Sequence, residues 1–206
     1  MTDKDVTQAE RFPRRTARRE NTRKRIIAVA ARLFQRVGYG TTTMNAIAEA
    51  ADVHVTTLFT HFKSKQDLAA SANEETLKRL ERLIDNSVGR QPFFEFFRAI
   101  VMDFASRLAG ERDPGVTVWS ELERDPELAL AWKSYEHRQI MMLAAYVAAE
   151  YGLPADDYRP VLVSGLMVSA SWEAHRRWSG DTRRLNLERE TLAAIDVAEA
   201  MAKAVL

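Results

Sequence analysis

The 206-residue sequence predicts an all-α fold: a small N-terminal three-helix unit of helix-turn-helix type, followed by a larger helical domain. Three observations carry this prediction. Apolar residues recur at three- and four-residue steps over most of the chain, the signature of half-buried helices. Alternating β-branched runs are almost absent, so no sheet is needed. The punctuation is sparse and ordered, with Pro92, Pro114, Pro126 and Pro154 at helix starts or breaks and Gly89, Gly110, Gly152 and Gly180 at helix ends.

Residues 1–20 read as a basic, flexible arm, too polar to fold alone. Its arginines, among them Arg18 and Arg19, can follow phosphates or enter a minor groove, or they can form a solvated tail. The first helix is set by Ile26, Ala30, Leu33, Phe34 and Val37 on one face, with Arg25, Arg32 and Arg36 opposite. Gly38 stops it in the left-handed conformation that a Cβ resists. Thr43, also a candidate DNA contact, then caps a short helix whose apolar edge is Met44, Ile47, Ala48 and Ala51, expected to pack on Leu33 and Phe34.

Asp52 stands at a turn that must close within a few residues, and Asp tolerates left-handed backbone angles better than most residues. The next segment, residues 54–62, places Leu58 and Phe62 inward at a four-residue step. Val55, Thr56, Thr57, Thr60 and His61 are left outward. Short hydroxyls can bond base edges or phosphates and methyl groups can meet a thymine methyl, so this helix suits the major groove of DNA. Lys65 opens the helix capped by Ser64, where its ammonium and the exposed N–H groups could both point at a phosphate; an ordinary surface lysine is the bland alternative.

Leu33-Phe34, Gly38-Tyr39, Thr42-Thr43-Met44, the run from Ile47 to Val53, the run from Leu58 to Phe62, and Ser64-Lys65 follow one pattern in order and spacing. By these motifs, which cover about the first third of the chain, the sequence resembles the TetR (tetracycline repressor-like) family of transcriptional regulators. The resemblance implies a DNA-binding domain over residues 21–68 and a helical effector-binding and dimerisation domain over 69–206. It departs from the family at Asp52, where Gly is common, at His54, where Ser or Thr is common, and at Phe59, where Tyr is common. The second change puts the usual helix-start hydrogen bond in doubt. The third removes a phosphate-touching hydroxyl, so Phe59 is expected to pack.

A formal charge of +1 hides an asymmetry. Residues 1–70 carry 13 Lys/Arg against 7 Asp/Glu, a net of 13 − 7 = +6, whereas residues 71–206 carry 17 against 22, a net of −5. One end suits phosphates and the other repels them.

In the second domain, helices are expected over about 65–88, 92–109, 115–124, 126–151, 155–179 and 185–205. Phe104, Trp119, Trp132, His137, Met141, Met142, Met167 and Trp172 are candidates to line an effector cavity, with Arg138 or His175 as possible orienting groups. The same side chains suit plain core. Apolar stripes with small residues, including Val161, Val168, Ile195, Ala198 and Ala202, suit a four-helix interface in a homodimer, or each subunit's own core. The expected partners are a double-stranded DNA operator, a second copy of the chain and a small-molecule effector.

Absences narrow the function classes. Without Cys there is no disulfide, thiolate metal site or cysteine nucleophile. His54, His61, His137 and His175 lack paired ligand spacing, and neither a nucleophile motif nor a Gly-rich phosphate loop is present, so no metal, cofactor or catalysis is expected. The longest apolar run, residues 140–149, falls far short of the roughly 20 residues of a membrane helix, and the charged N-terminus is unlike a leader, which places the protein in the cytoplasm. A DNA-binding adaptor whose second domain holds a protein partner is the competing reading.

Overall fold

The computed structural model describes residues 13–111, 126–180 and 185–206, and these contain eight α-helices and no strand. They are α1 (Pro13–Val37), α2 (Met44–Ala50), α3 (Val55–His61), α4 (Lys65–Ser87), α5 (Phe93–Glu111), α6 (Pro126–Tyr151), α7 (Arg159–Gly180) and α8 (Leu187–Lys203).

Helix α1 begins at Pro13, the first-turn position that proline favours, and runs unbroken into the apolar stripe. Arg18 and Arg19 are therefore exposed on a helix and not on an extended arm. The turns beyond it have the backbone their residues demand: φ is +93° at Gly38 and +50° at Asp52. Thr43 Oγ1 accepts the Ala46 N–H at 3.1 Å to cap α2. His54 caps α3 despite lacking a hydroxyl, its Nδ1 accepting the Thr56 N–H at 3.5 Å. Ser64 Oγ accepts the Asp67 N–H at 3.1 Å, and the Asp67 carboxylate accepts the Lys63 N–H at 3.0 Å.

Two cores result. The first joins Ile26, Ile27 and Ala30 of α1 to Ile47 and Ala48 of α2, Leu58 of α3 and Phe62, with Leu33 and Phe34 against it as expected. It is completed by Leu68 and Ala72 of α4. The second core takes Leu80 and Ile84 from the other end of the same helix, so the border between residues 68 and 69 falls inside one continuous helix shared by both.

In the second core, Phe93, Phe96 and Phe97 of α5 meet Tyr146 and Val147 of α6, Met167 and Val168 of α7, and Ile195, Ala198 and Ala202 of α8. The start of α5 is pinned by α6, where Glu150 accepts the Phe93 N–H at 2.6 Å and the Tyr146 hydroxyl donates to the Gln91 carbonyl at 2.6 Å. Arg98 ties α5 to α8 through Asp196 and Glu199, both at 2.7 Å.

This packing corrects the stripe assigned to a dimer surface. Val168, Ile195, Ala198 and Ala202 are buried in the subunit's own core, because small residues allow α7 and α8 to approach each other within one chain. Of the five residues named, Val161 alone is exposed. Beside it, Tyr158, Leu162, Leu192, Val197, Met201 and Val205 are the outward apolar side chains of this region.

Candidate DNA-reading face and cavity

Leu58 and Phe62 anchor α3 inward, and the opposite side presents Thr56, Thr57 and Thr60 to solvent, with Val55 and His61 half-buried at its edges. Two of the three hydroxyls are already oriented. Thr60 Oγ1 donates to the Thr56 carbonyl at 2.8 Å, and Thr56 Oγ1 lies 2.9 Å from His54 Nδ1. Each retains lone pairs for an outside donor. Phe59, expected to pack, is 49% exposed, because the inward four-residue step is already filled by Leu58 and Phe62. Its ring belongs to the outward surface of α3.

Basic residues flank this face, and some of them are structural. Arg23 donates to Ser71 Oγ at 3.1 Å and lies 5.0 Å from the centre of the Phe62 ring, joining α1 to α4. Arg25 donates to the Asp52 carbonyl at 3.4 Å, across the turn before α3. Lys65 differs most from expectation: its ammonium donates to the carbonyls of Tyr39, Gly40 and Thr42 at 2.8, 3.3 and 3.2 Å. That spends all three ammonium hydrogens on the loop before α2. Desolvation of the His61 ring, with the Arg19 and Arg23 charges adding, holds its pKa below the usual imidazole value. The N-terminal turns of α1 therefore lie within electrostatic reach of the end of α3.

The second domain holds a partly open cavity of about 170 Å³ to which all five of its helices contribute. Leu80 and Leu83 of α4 and Ile100, Val101 and Phe104 of α5 give apolar wall, Trp172 and His175 of α7 give aromatic wall, and Tyr135, Gln139, Ser171 and Thr191 bring polar atoms. Burial pushes the Tyr135 phenol up to about 12, so it is a neutral hydrogen-bonding group.

Of the predicted lining residues, Phe104 and Trp172 are in the wall, their rings edge-on at 6.2 Å. Trp132 stands beside it, 4.7 Å from the Trp172 ring. Met142 packs at the margin of the second core and Met167 is fully buried within it. His137 and Met141 are exposed on α6, and Trp119 lies outside the described residues. Arg138 also faces out, pairing with Glu74 of α4 at 2.6 Å. Neither Gln139 nor Thr191 is expected from the sequence to line a cavity. Their signal is slight: a polar residue breaking an otherwise apolar helical face, which in one helix alone looks like ordinary variation.

Residues 26–72 match the family described as "Bacterial regulatory proteins, tetR family", and residues 91–204 match the "MftR C-terminal domain". The HTH-type transcriptional regulator TcmR of Streptomyces glaucescens is 29% identical over 168 residues, which cover 76% of this chain and 73% of that protein. The HTH-type transcriptional repressor KstR of Rhodococcus jostii is 36% identical over 95 residues, 46% of this chain and 43% of its own. In overall fold the chain is similar to the transcriptional regulator FadR of Bacillus subtilis, solved in complex with stearoyl-CoA, with a TM-score of 0.62 at 18% identity over 85% of this chain and 96% of that one. With the short helices α2 and α3 braced by α1 and α4, and with matches spanning both domains, this chain belongs to the TetR family of bacterial transcriptional regulators.

Proposed function

We propose that the protein is a homodimeric repressor that holds a palindromic operator and leaves it when an apolar or amphipathic small molecule fills the cavity. The observation that carries this reading is the double membership of α4: Leu68 and Ala72 sit in the DNA-reading core, while Leu80 and Leu83 form cavity wall. A ligand that prefers one position of α4 thereby biases the position of α3. The ligand-bound state of FadR supports reading the helical domain as ligand-binding.

Val55, Thr56, Thr57, Thr60 and His61 read base edges and neighbouring phosphates, and Arg18 and Arg19 supply phosphate attraction from α1. Thr43 contributes chiefly as the cap of α2, and Lys65 as the clamp of the preceding loop. Tyr158 and Leu162 beside and on α7, with Leu192, Val197 and Met201 on α8, pair with their copies across a two-fold axis. Two copies of α3 then meet successive turns of the duplex. Release follows when the separation of the two α3 helices no longer matches the half-sites. Full switching from 1:99 to 99:1 requires roughly 5.5 kcal/mol of differential ligand affinity.

The protein acts in the cytoplasm as a binding protein, not an enzyme. Among the described residues no helix is long and apolar enough to cross a membrane. Selecting bound duplexes from a random pool tests the reading directly: a palindromic consensus is expected, and recovery of unrelated sequences would refute it.

A further inference from the structure

We propose that the cavity takes a compact hydroxylated aromatic molecule of one or two rings, seated against Phe104 and Trp172 with its hydroxyl presented to Gln139 and Thr191. This rests on the effector-cavity reading above and adds the chemical class of the ligand.

Size is the first argument. At about 170 Å³ this partly open space is close to the roughly 150 Å³ known to hold a benzene ring, and well below the 300–1,000 Å³ typical of drug-sized ligands. A ring system of modest area fills it, whereas a long acyl chain would have to leave most of its length outside it. The wall itself is the second argument. Phe104, Trp172 and His175 stand 5.0 to 6.2 Å apart by ring centres in tilted and edge-on arrangements, the spacing at which a further ring gains edge-to-face contact.

The third argument is polar. Gln139 Oε1 and Thr191 Oγ1 are both buried and have no hydrogen-bond partner among the described residues, and Thr191 is 0% exposed. Buried polar atoms are paired in native structures, and each one left alone is costly. Both line this cavity. An amide oxygen needs a donor, and a hydroxyl can give or accept, so a ligand hydroxyl suits either. An aliphatic tail answers neither and would seal the two atoms in hydrocarbon.

Charge completes the selection. The polar groups named on the wall between α6, α7 and α8 are neutral ones, with Tyr135 held as the phenol. The charged lining residues Arg79, Asp103 and Arg107 are exposed, and the latter two pair with each other at 2.7 Å. A neutral ring therefore belongs inside.

Calorimetric titration of the full-length protein with 2-naphthol, naphthalene and decanoyl-CoA tests the proposal. We expect 2-naphthol to bind about tenfold tighter than naphthalene, the margin of one good hydrogen bond, and Thr191→Val or Gln139→Met to erase most of that margin. Thr191→Val should also leave the ligand-free melting temperature unchanged or higher, since it removes an unpartnered hydroxyl without changing shape. A packing role alone would lower the melting temperature and leave the affinity ratio intact. Equal affinity for the two naphthalenes, or silence of all three probes, overturns the proposal. Binding of decanoyl-CoA alone overturns the ligand class while sparing the ligand-responsive regulator, and the duplex selection decides the DNA reading independently.

Discussion

The Lys65 ammonium lies 4.3 Å from the centre of the Tyr39 ring and donates to the Tyr39 carbonyl at 2.8 Å. Tyr39 in turn leans on Phe34 of α1, ring centres 5.1 Å apart. One side chain at the start of α4 thus holds the loop that leads into α2, and α2 packs on α3 in the same core.

Lys65→Met keeps the aliphatic stem and deletes the charge-assisted bonds, so it should lower unfolding free energy by about 1.5–3 kcal/mol in urea melts. DNA affinity should fall through misplacement of α3, with the salt dependence of binding unchanged. A salt slope shallower by about one unit would return Lys65 to the phosphates.

Thr57 occupies the centre of the exposed face of α3. Thr57→Ala should cost about 1–3 kcal/mol against the selected operator and almost nothing against unrelated duplex, measured by fluorescence anisotropy at one salt concentration. Parallel losses on both duplexes would make Thr57 a phosphate contact.

His61 binds protons less readily in the folded protein than in the unfolded chain, since desolvation and the Arg19 and Arg23 charges depress its pKa below 6.5. Because the unfolded state then holds more protons in the window between the depressed pKa and 6.5, this residue makes stability rise with pH there and fall on acidification. Phosphates brought close by DNA would favour the imidazolium, so binding should take up protons and tighten as pH drops from about 7.5 to about 6. His61→Gln should flatten that dependence in binding isotherms; an unchanged pH slope would place the ring away from the backbone.

Val197 is 62% exposed and Ile195, two residues earlier on α8, is fully buried. Val197→Asp combined with Met201→Asp should give monomers in sedimentation velocity with little change in helical circular dichroism. Ile195→Ala should instead lower stability by about 2–5 kcal/mol. A dimer that survives the double charge substitution would move the interface elsewhere.

Much of the N-terminal helix-turn-helix unit was legible because its information is local. The stop at Gly38, the cap at Thr43, the left-handed Asp52 and the inward pair Leu58 and Phe62 each follow from a few consecutive residues, and all were found in those roles. Phe59 and Lys65 depart from what their sequence context suggests, for the opposite reason. Whether a ring packs, or where an ammonium goes, depends on what the fold brings near, and the loop that Lys65 grips lies more than 20 residues away in sequence.

The second domain divides along the same line. Periodicity along the chain determined that α4 to α8 are helices and that Val168, Ile195, Ala198 and Ala202 form apolar stripes, because a 3.6-residue repeat is a property of one helix. Only the tertiary structure decided that those stripes meet inside one subunit, that Gln139 and Thr191 face a shared cavity beside Phe104 and Trp172, and that Met167 is plain core. A helix's sequence records which face it buries. The partner on that face, and any space left between them, exist only once several helices have packed.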